Sequence, residues 1–110
     1  MEQLIRIGLD TSKRFFQLHG VDAAERPVLR RQLRRSEVLG FFSRLAPILV
    51  ALEACGASHY WARELRALGH DARLTPQLAK PYVKRGKNDT ADAQAVCEAA
   101  SRPTMRLAIA

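Results

Sequence analysis

The run ILVALE, from Ile48 to Glu53, constrains the fold of this chain more than any other stretch. Its apolar residues are continuous rather than alternating, which is typical of a strand buried on both faces of a sheet. An amphipathic helix is predicted next, over Ser58 to Gly69, followed by a short strand over His70 to Thr75. A helix that joins two parallel strands makes a βαβ unit, which closes right-handed. The chain is therefore predicted to be an α/β protein built on a parallel pair.

Three further strands are predicted before this unit. Leu4 to Asp10 and Arg14 to Val21 are joined by a short turn, and Arg26 to Leu33 forms a half-exposed third strand. Helices are predicted from Ser36, a candidate N-cap, to Leu45 and from Asp89 to Ala100. The simplest sheet places the first strand beside the fourth. This is a ribonuclease-H-like arrangement, a mixed sheet of five strands with the first three antiparallel and helices on both faces.

The composition fits one soluble domain spanning residues 1–110, in which we expect residues 103–110 to be a linker. Of its 110 residues, 47% are hydrophobic and 26% are charged, which excludes a disordered segment. No apolar run approaches the roughly 20 residues that cross a bilayer, so a cytoplasmic location without membrane contact is expected. The net charge of +7 and the pI of about 10.3 favour a polyanionic partner.

Two basic stretches carry much of this charge, RRQLRR from Arg30 to Arg35 and KPYVKRGK from Lys80 to Lys87. Arginine outnumbers lysine, which suits the clamping of phosphates by a planar guanidinium. The alternative is an ordinary solvated surface. The candidate nucleic-acid contacts, including one tyrosine that could stack on a base, are Lys13, Arg30, Arg31, Arg34, Lys80, Tyr82, Lys84, Arg85 and Lys87. The three histidines show no metal-binding spacing and are interpreted as surface or boundary residues.

Four acidic residues form the candidate catalytic site. Asp10 and Glu53 end neighbouring parallel strands, at the edge where α/β sheets place their ligands. Asp89 and Asp92, at i and i+3, project from one side of the last helix near its N-terminus. If that helix crosses the sheet edge, four carboxylates converge and require a hard cation such as Mg²⁺ or Mn²⁺. The alternative is that the acids are turn and capping residues.

The segments IGLDTSK, ALEACG and KPYVKRGKNDTADAQAVCEAASRPTMR carry a family resemblance. Together they resemble the N-terminal DEDD domain of insertion-sequence transposases related to the Piv-type DNA invertases, whose fold is similar to that of the RuvC resolvase. The resemblance covers essentially the whole chain. It implies that the four metal-binding acids of the family correspond to Asp10, Glu53, Asp89 and Asp92.

The resemblance also implies a function. Such transposases act on DNA, are guided by a structured RNA, form homo-oligomers and complete their site with a serine from a second, C-terminal domain. Because the sequence ends at Ala110 and no serine lies in a matching motif, we expect half of an active site. The alternatives are a catalytically silent nucleic-acid-binding module, a Holliday-junction resolvase, and an ATPase related to actin and sugar kinases. The ATPase usually has a glycine after the first acid, where this chain has Thr11.

Overall fold

A computed structural model describes residues 3–11, 14–75, 89–100 and 108–109. These residues contain one six-stranded sheet in the order β3-β2-β1-β4-β5-β6. The strands are β1 (Arg6–Asp10), β2 (Phe15–Val21), β3 (Pro27–Arg34), β4 (Leu49–Glu53), β5 (Asp71–Thr75) and β6 (Ala108–Ile109).

The pairing of these strands confirms the predicted mixed sheet. Strand β2 pairs antiparallel with β1 and with β3, whereas β4 pairs parallel with β1 and with β5. The sheet differs from the prediction by its sixth strand, because Ala108–Ile109 pairs antiparallel with β5. This two-residue strand falls inside the segment expected to be a linker.

Helices cover both faces of the sheet, as predicted. Helices α1 (Val38–Ser43) and α2 (Ser58–Ala67) pack on one face, and α3 (Asp89–Ala100) packs on the other. The first helix is shorter than predicted, since a 3-10 turn over Arg35–Glu37 precedes it. The predicted cap at Ser36 is wrong, because Ser36 lies inside this turn and the residue that precedes α1 is Glu37. The Glu37 carboxylate accepts a hydrogen bond of 2.8 Å from the backbone nitrogen of Arg34.

The larger core lies between the sheet and the helices α1 and α2. Trp61 of α2 is 6% exposed and contacts Phe16 edge to face with ring centroids 5.2 Å apart. Helix α2 ends before the predicted Gly69, and the residue after its last turn, Leu68, is 39% exposed. Gly69 follows with φ at +99°, the left-handed conformation that ends a helix.

Within the described residues, no helix has the length and apolar character needed to span a membrane.

Candidate functional site

Asp10 and Glu53 are the last residues of two neighbouring parallel strands, and their side chains lie on the same face of the sheet. The register pairs Leu9 with Leu52, so the next residues along the two strands are Asp10 and Glu53. Asp10 is 9% exposed and Glu53 is half-buried. The loops that follow them also meet, because the Thr11 hydroxyl and the Cys55 thiol lie 3.9 Å apart. Asp10 and Glu53 therefore end neighbouring strands at one edge of the sheet, while their joint role as a site stays a prediction.

Helix α3 covers the face on which both acids lie. Side chains alternate along a strand, so Asp10 shares a face with Gly8, and Glu53 shares one with Ala51. A Cβ on Gly8 would lie 2.6 Å from the backbone nitrogen of Cys97 in α3. Ala51 packs with Ala95 and Val96 of the same helix. The carboxylates thus project toward the side of the sheet that α3 occupies.

The direction of α3 brings its N-terminal end toward Asp10. Ala93 and Cys97 both lie against Gly8, and the carbonyl of Cys97 accepts a hydrogen bond of 3.0 Å from Nε of Arg6. Moving from Cys97 to Ala93 along α3 therefore corresponds to moving from Arg6 toward the end of β1. The helix begins at Asp89. Its backbone includes Asp89 and Asp92, while the side chains of these two residues lie outside what the structure describes.

Arg6 connects α3 to the hairpin between β2 and β3. Its guanidinium is buried and donates to the carbonyl of Cys97. It also forms an ion pair with the carboxylate of Glu25, to which Nη1 donates a second hydrogen bond of 3.3 Å. Glu25 has a left-handed backbone with φ at 64°, which is uncommon for a residue other than glycine. The hydrogen bond from Arg6 lowers the pKa of the Glu25 carboxyl. Arg6 thus links α3 to this hairpin through contacts that no sequence motif indicated.

A row of polar side chains extends from the two acids across the sheet. Register pairs Glu53 with Thr75 on one side and Asp10 with Gln17 on the other, and Gln17 in turn pairs with Gln32 on β3. Nε2 of Gln17 donates to Oε1 of Gln32 at 3.0 Å, although Gln17 is only 7% exposed. Sequence reasoning missed these amides. The alternation of side chains along β2 puts Gln17 on one face of the sheet, but only the register of the hairpin shows that Gln17 lies beside Asp10 and Gln32.

The predicted nucleic-acid contacts on β3 are exposed and divided between the two faces. Arg31 lies on the side of α1, where its guanidinium carbon is 5.3 Å from the centroid of the Phe41 ring. Arg30 and Arg34 alternate with it and lie on the opposite face. The remaining predicted contacts lie outside the described residues: Lys13, Lys80, Tyr82, Lys84, Arg85 and Lys87.

Two histidines are buried, which corrects the surface or boundary interpretation. His70 is 4% exposed, with Nε2 2.7 Å from the carbonyl of Phe42 and Nδ1 accepting from the backbone nitrogen of Ile48 at 3.2 Å. His19 is 2% exposed, and burial lowers its pKa, helped by the charge of Arg30. Neither joins the acids, and no group of three His, Cys, Asp or Glu side chains at metal-binding distance occurs in the part of the chain that the structure describes.

Comparison with known proteins identifies several similar sequences. A relative from Sinorhizobium fredii, named as a transposase, is 64% identical over 107 residues, which cover 96% of this chain and 28% of the relative. A "Probable family 20 transposase" from Pseudomonas aeruginosa is 64% identical over 104 residues, covering 94% of this chain and 31% of that protein. A transposase for the insertion sequence element IS1328 of Yersinia enterocolitica is 39% identical over 106 residues, covering 96% and 32%.

The similarity is confined to one part of these relatives. The chain spans about a third or less of the length of the curated relatives that it matches. No protein-family model matches the chain, and no solved structure matches it. The sequence relatives therefore share nearly the whole of this chain, and each extends well beyond the matched region.

Proposed function

We propose that this chain forms the N-terminal, metal-binding part of a DNA transposase of insertion-sequence type. The observation that carries the proposal is the placement of Asp10 and Glu53 at adjacent ends of β1 and β4, under the helix that begins at Asp89. The named relatives support it, since all are transposases by name and share nearly all of this sequence. The metal-free alternative, a silent nucleic-acid-binding module, predicts the same basic surface but no role for the acids.

The donor set fits a hard divalent cation. Asp10 and Glu53 offer carboxylate oxygens at one sheet edge, and Mg²⁺ and Mn²⁺ prefer such ligands. In this proposal Asp10, Glu53, Asp89 and Asp92 hold the metal. The positive end of the α3 dipole favours negative charge at the first turn of the helix. When bound, the metal would polarise a phosphodiester and lower the pKa of a bound water or hydroxyl.

The residues of the chain itself would position the substrate. The buried Asp10 and the half-buried Glu53 fix where a phosphate can approach, because both are anchored at strand ends rather than on a loop. Exposed arginines on β3, among them Arg30 and Arg34, would contact neighbouring phosphates regardless of base sequence.

We further propose that a structured RNA guides the target choice, that the full protein forms homo-oligomers, and that a serine outside this chain acts as the nucleophile, as the family resemblance implies.

Metal binding to the purified chain tests the proposal. Isothermal titration with Mn²⁺ should show binding to the wild type that is lost in Asp10→Asn and Asp89→Asn. Asp71→Asn provides the matched control, because Asp71 is exposed at the opposite end of β5 and pairs with Arg73 at 3.0 Å. Equal binding by Asp10→Asn and Asp71→Asn would remove Asp10 from the site and favour the silent module.

A further inference from the structure

Six exposed arginines near the start of β2, on β3 and around α1 form no ion pair within the described residues. Three other arginines in this part of the chain are paired, Arg6 with Glu25, Arg26 with Asp22 and Arg73 with Asp71, whereas Arg63 and Arg66 on α2 are exposed and have no ion pair there. The six around β2, β3 and α1 are Arg14, Arg30, Arg31, Arg34, Arg35 and Arg44. A concentration of uncompensated positive charge around β3 and α1 is the electrostatic footprint of a polyanion site.

Five of these arginines line two adjoining clefts. One cleft of about 660 Å³ is lined by Arg14, Phe15, Arg34, Arg35 and Ser36, with no carboxylate among these residues. The second, of about 260 Å³, is lined by described residues that include Arg31, Arg44, Phe41 and again Ser36. Ser36 borders both clefts, so they adjoin each other, and we call the two together the arginine groove. Neither Arg14, Arg35 nor Arg44 was among the contacts predicted from the sequence.

Aromatic rings hold two arginines of the groove in place. The guanidinium carbon of Arg35 lies 5.7 Å from the centroid of Phe16, and that of Arg31 lies 5.3 Å from the centroid of Phe41. Stacking uses the face of a guanidinium and leaves its N–H groups available to phosphate oxygens. The carboxylate of Glu37, which also borders the groove, already accepts a hydrogen bond of 2.8 Å from a backbone N–H. The groove is therefore preorganised for anions.

One end of the groove, at Arg34, lies at the sheet edge where the two acids stand, while Arg31 and Phe41 lie on the face opposite α3. Asp10 is level with Gln17 and Gln32 in the register, and Arg34 stands two residues past Gln32 toward the end where β1 finishes. With strands about 4.8 Å apart and a rise of about 3.3 Å per residue, the Cα atoms of Asp10 and Arg34 are about 12 Å apart. One DNA strand rises about 3.4 Å per nucleotide, so a few nucleotides cover this distance.

We infer that the arginine groove binds the phosphate backbone of the DNA strand whose phosphodiester lies at Asp10 and Glu53, a few nucleotides from the reacting phosphate. This inference rests on the proposed function, because it takes the acids as the reacting centre. The contact is independent of base sequence, since guanidinium groups meet phosphates rather than base edges. Arg14, Arg35 and Arg44 are the residues that this inference adds to the predicted nucleic-acid contacts.

Fluorescence anisotropy with a labelled 30-base-pair DNA duplex tests the groove. The double variant R14S/R35S should bind DNA at least about tenfold more weakly near 0.1 M salt, and its log–log salt dependence should be shallower by about 2. The matched control is R63S/R66S, which removes the same charge from exposed positions on α2. This control should retain most of the affinity. R14K/R35K should keep the salt slope, because the charges remain.

The outcomes separate the groove from the proposed function. Equal losses in R14S/R35S and R63S/R66S would show only a general charge effect and would overturn the groove. A loss confined to a labelled RNA hairpin, with DNA binding intact, would overturn it as well. Mn²⁺ titration of R14S/R35S should match the wild type, as the arginines hold no metal. If Asp10→Asn bound Mn²⁺ normally while R14S/R35S lost DNA affinity, the proposed catalytic site would fail and phosphate binding by the groove would stand.

Discussion

Gly8 lies directly against α3, where an added Cβ would stand 2.5 Å from the carbonyl oxygen of Ala93. That distance is shorter than real Cβ contacts allow, and the obstructing atoms belong to the backbone of the helix. Replacement of this one hydrogen therefore requires that α3 moves away from the sheet. Since α3 begins at Asp89, the position of the proposed site depends on a glycine that takes no part in its chemistry.

We expect Gly8→Ala to destabilise the fold by about 1–3 kcal/mol, the usual cost of overpacking a tight contact. It should also weaken Mn²⁺ binding, because the start of α3 is displaced from Asp10. Gly40→Ala is the matched control, since nothing lies within 4 Å of the Cβ position in helix α1. That change should stabilise the protein by up to about 1 kcal/mol. Urea unfolding measures both, and a neutral Gly8→Ala would contradict the close packing.

Divalent metal should raise the thermal stability of the wild type by mass action. At a free concentration of about one hundred times Kd, the gain in the free energy of unfolding is about 2.7 kcal/mol. Glu53→Gln should abolish this gain, whereas Glu64→Gln on α2 should preserve it. Thermal unfolding with Mn²⁺ and with EDTA provides the measurement. A shift of the same size in Glu53→Gln would exclude Glu53 from the metal ligands.

Nuclease activity of the isolated chain should be weak. A metal-bound water can attack a phosphodiester, but strand joining is proposed to require a serine outside this sequence. We expect slow nicking of duplex DNA with Mn²⁺ before Mg²⁺, and none with Glu53→Gln. Gel analysis of nicked and joined products decides the outcome. Joined strands made by this chain alone would show that the proposed division of the active site is wrong.

The ion pair between Arg6 and Glu25 should make stability fall in acid. The hydrogen bond from Arg6 lowers the folded-state pKa of Glu25 below its ordinary value of 4.5. The stabilisation is therefore fully present above that value and is lost as the pH falls through the lower folded pKa. Because the Glu25 side chain is 54% exposed, solvent screens the effect and it should be small. Glu25→Gln should flatten the acid limb of stability measured in urea, while Glu64→Gln should not.

His19 should add a second decrease in stability, at a higher pH than the decrease caused by Glu25. Burial lowers its folded-state pKa, as do the charges of Arg30 and Arg6, while Glu98 opposes them. The unfolded chain then binds a proton near pH 6.5 before the folded protein does, so stability falls as the pH drops below that value. His19→Gln should remove this step, and His59→Gln, at an exposed position, should leave it in place. Unfolding free energies from pH 7.5 to 5 provide the test.

The positions of the two strand-end acids could be predicted because few rules decide them. Apolar runs that end in Asp10 and Glu53 predict strand ends, and the right-handed βαβ rule makes the strands neighbours. Other residues escaped prediction because their environment comes from distant parts of the chain. His70 is buried because the carbonyl of Phe42 and the backbone nitrogen of Ile48 lie beside it.

The sequence by itself determined the order of the strands, the mixed pairing of the sheet and the chain positions of the acids, because these follow from local patterns of apolar and charged residues. Only the tertiary structure decided that the backbone of α3 packs directly against Gly8, that Arg6 donates a hydrogen bond to the carbonyl of Cys97, and that Arg14 and Arg35 border one groove. Such contacts join residues far apart in the chain. They depend on the register of the strands and on how closely two elements pack, and no single segment of the sequence determines either.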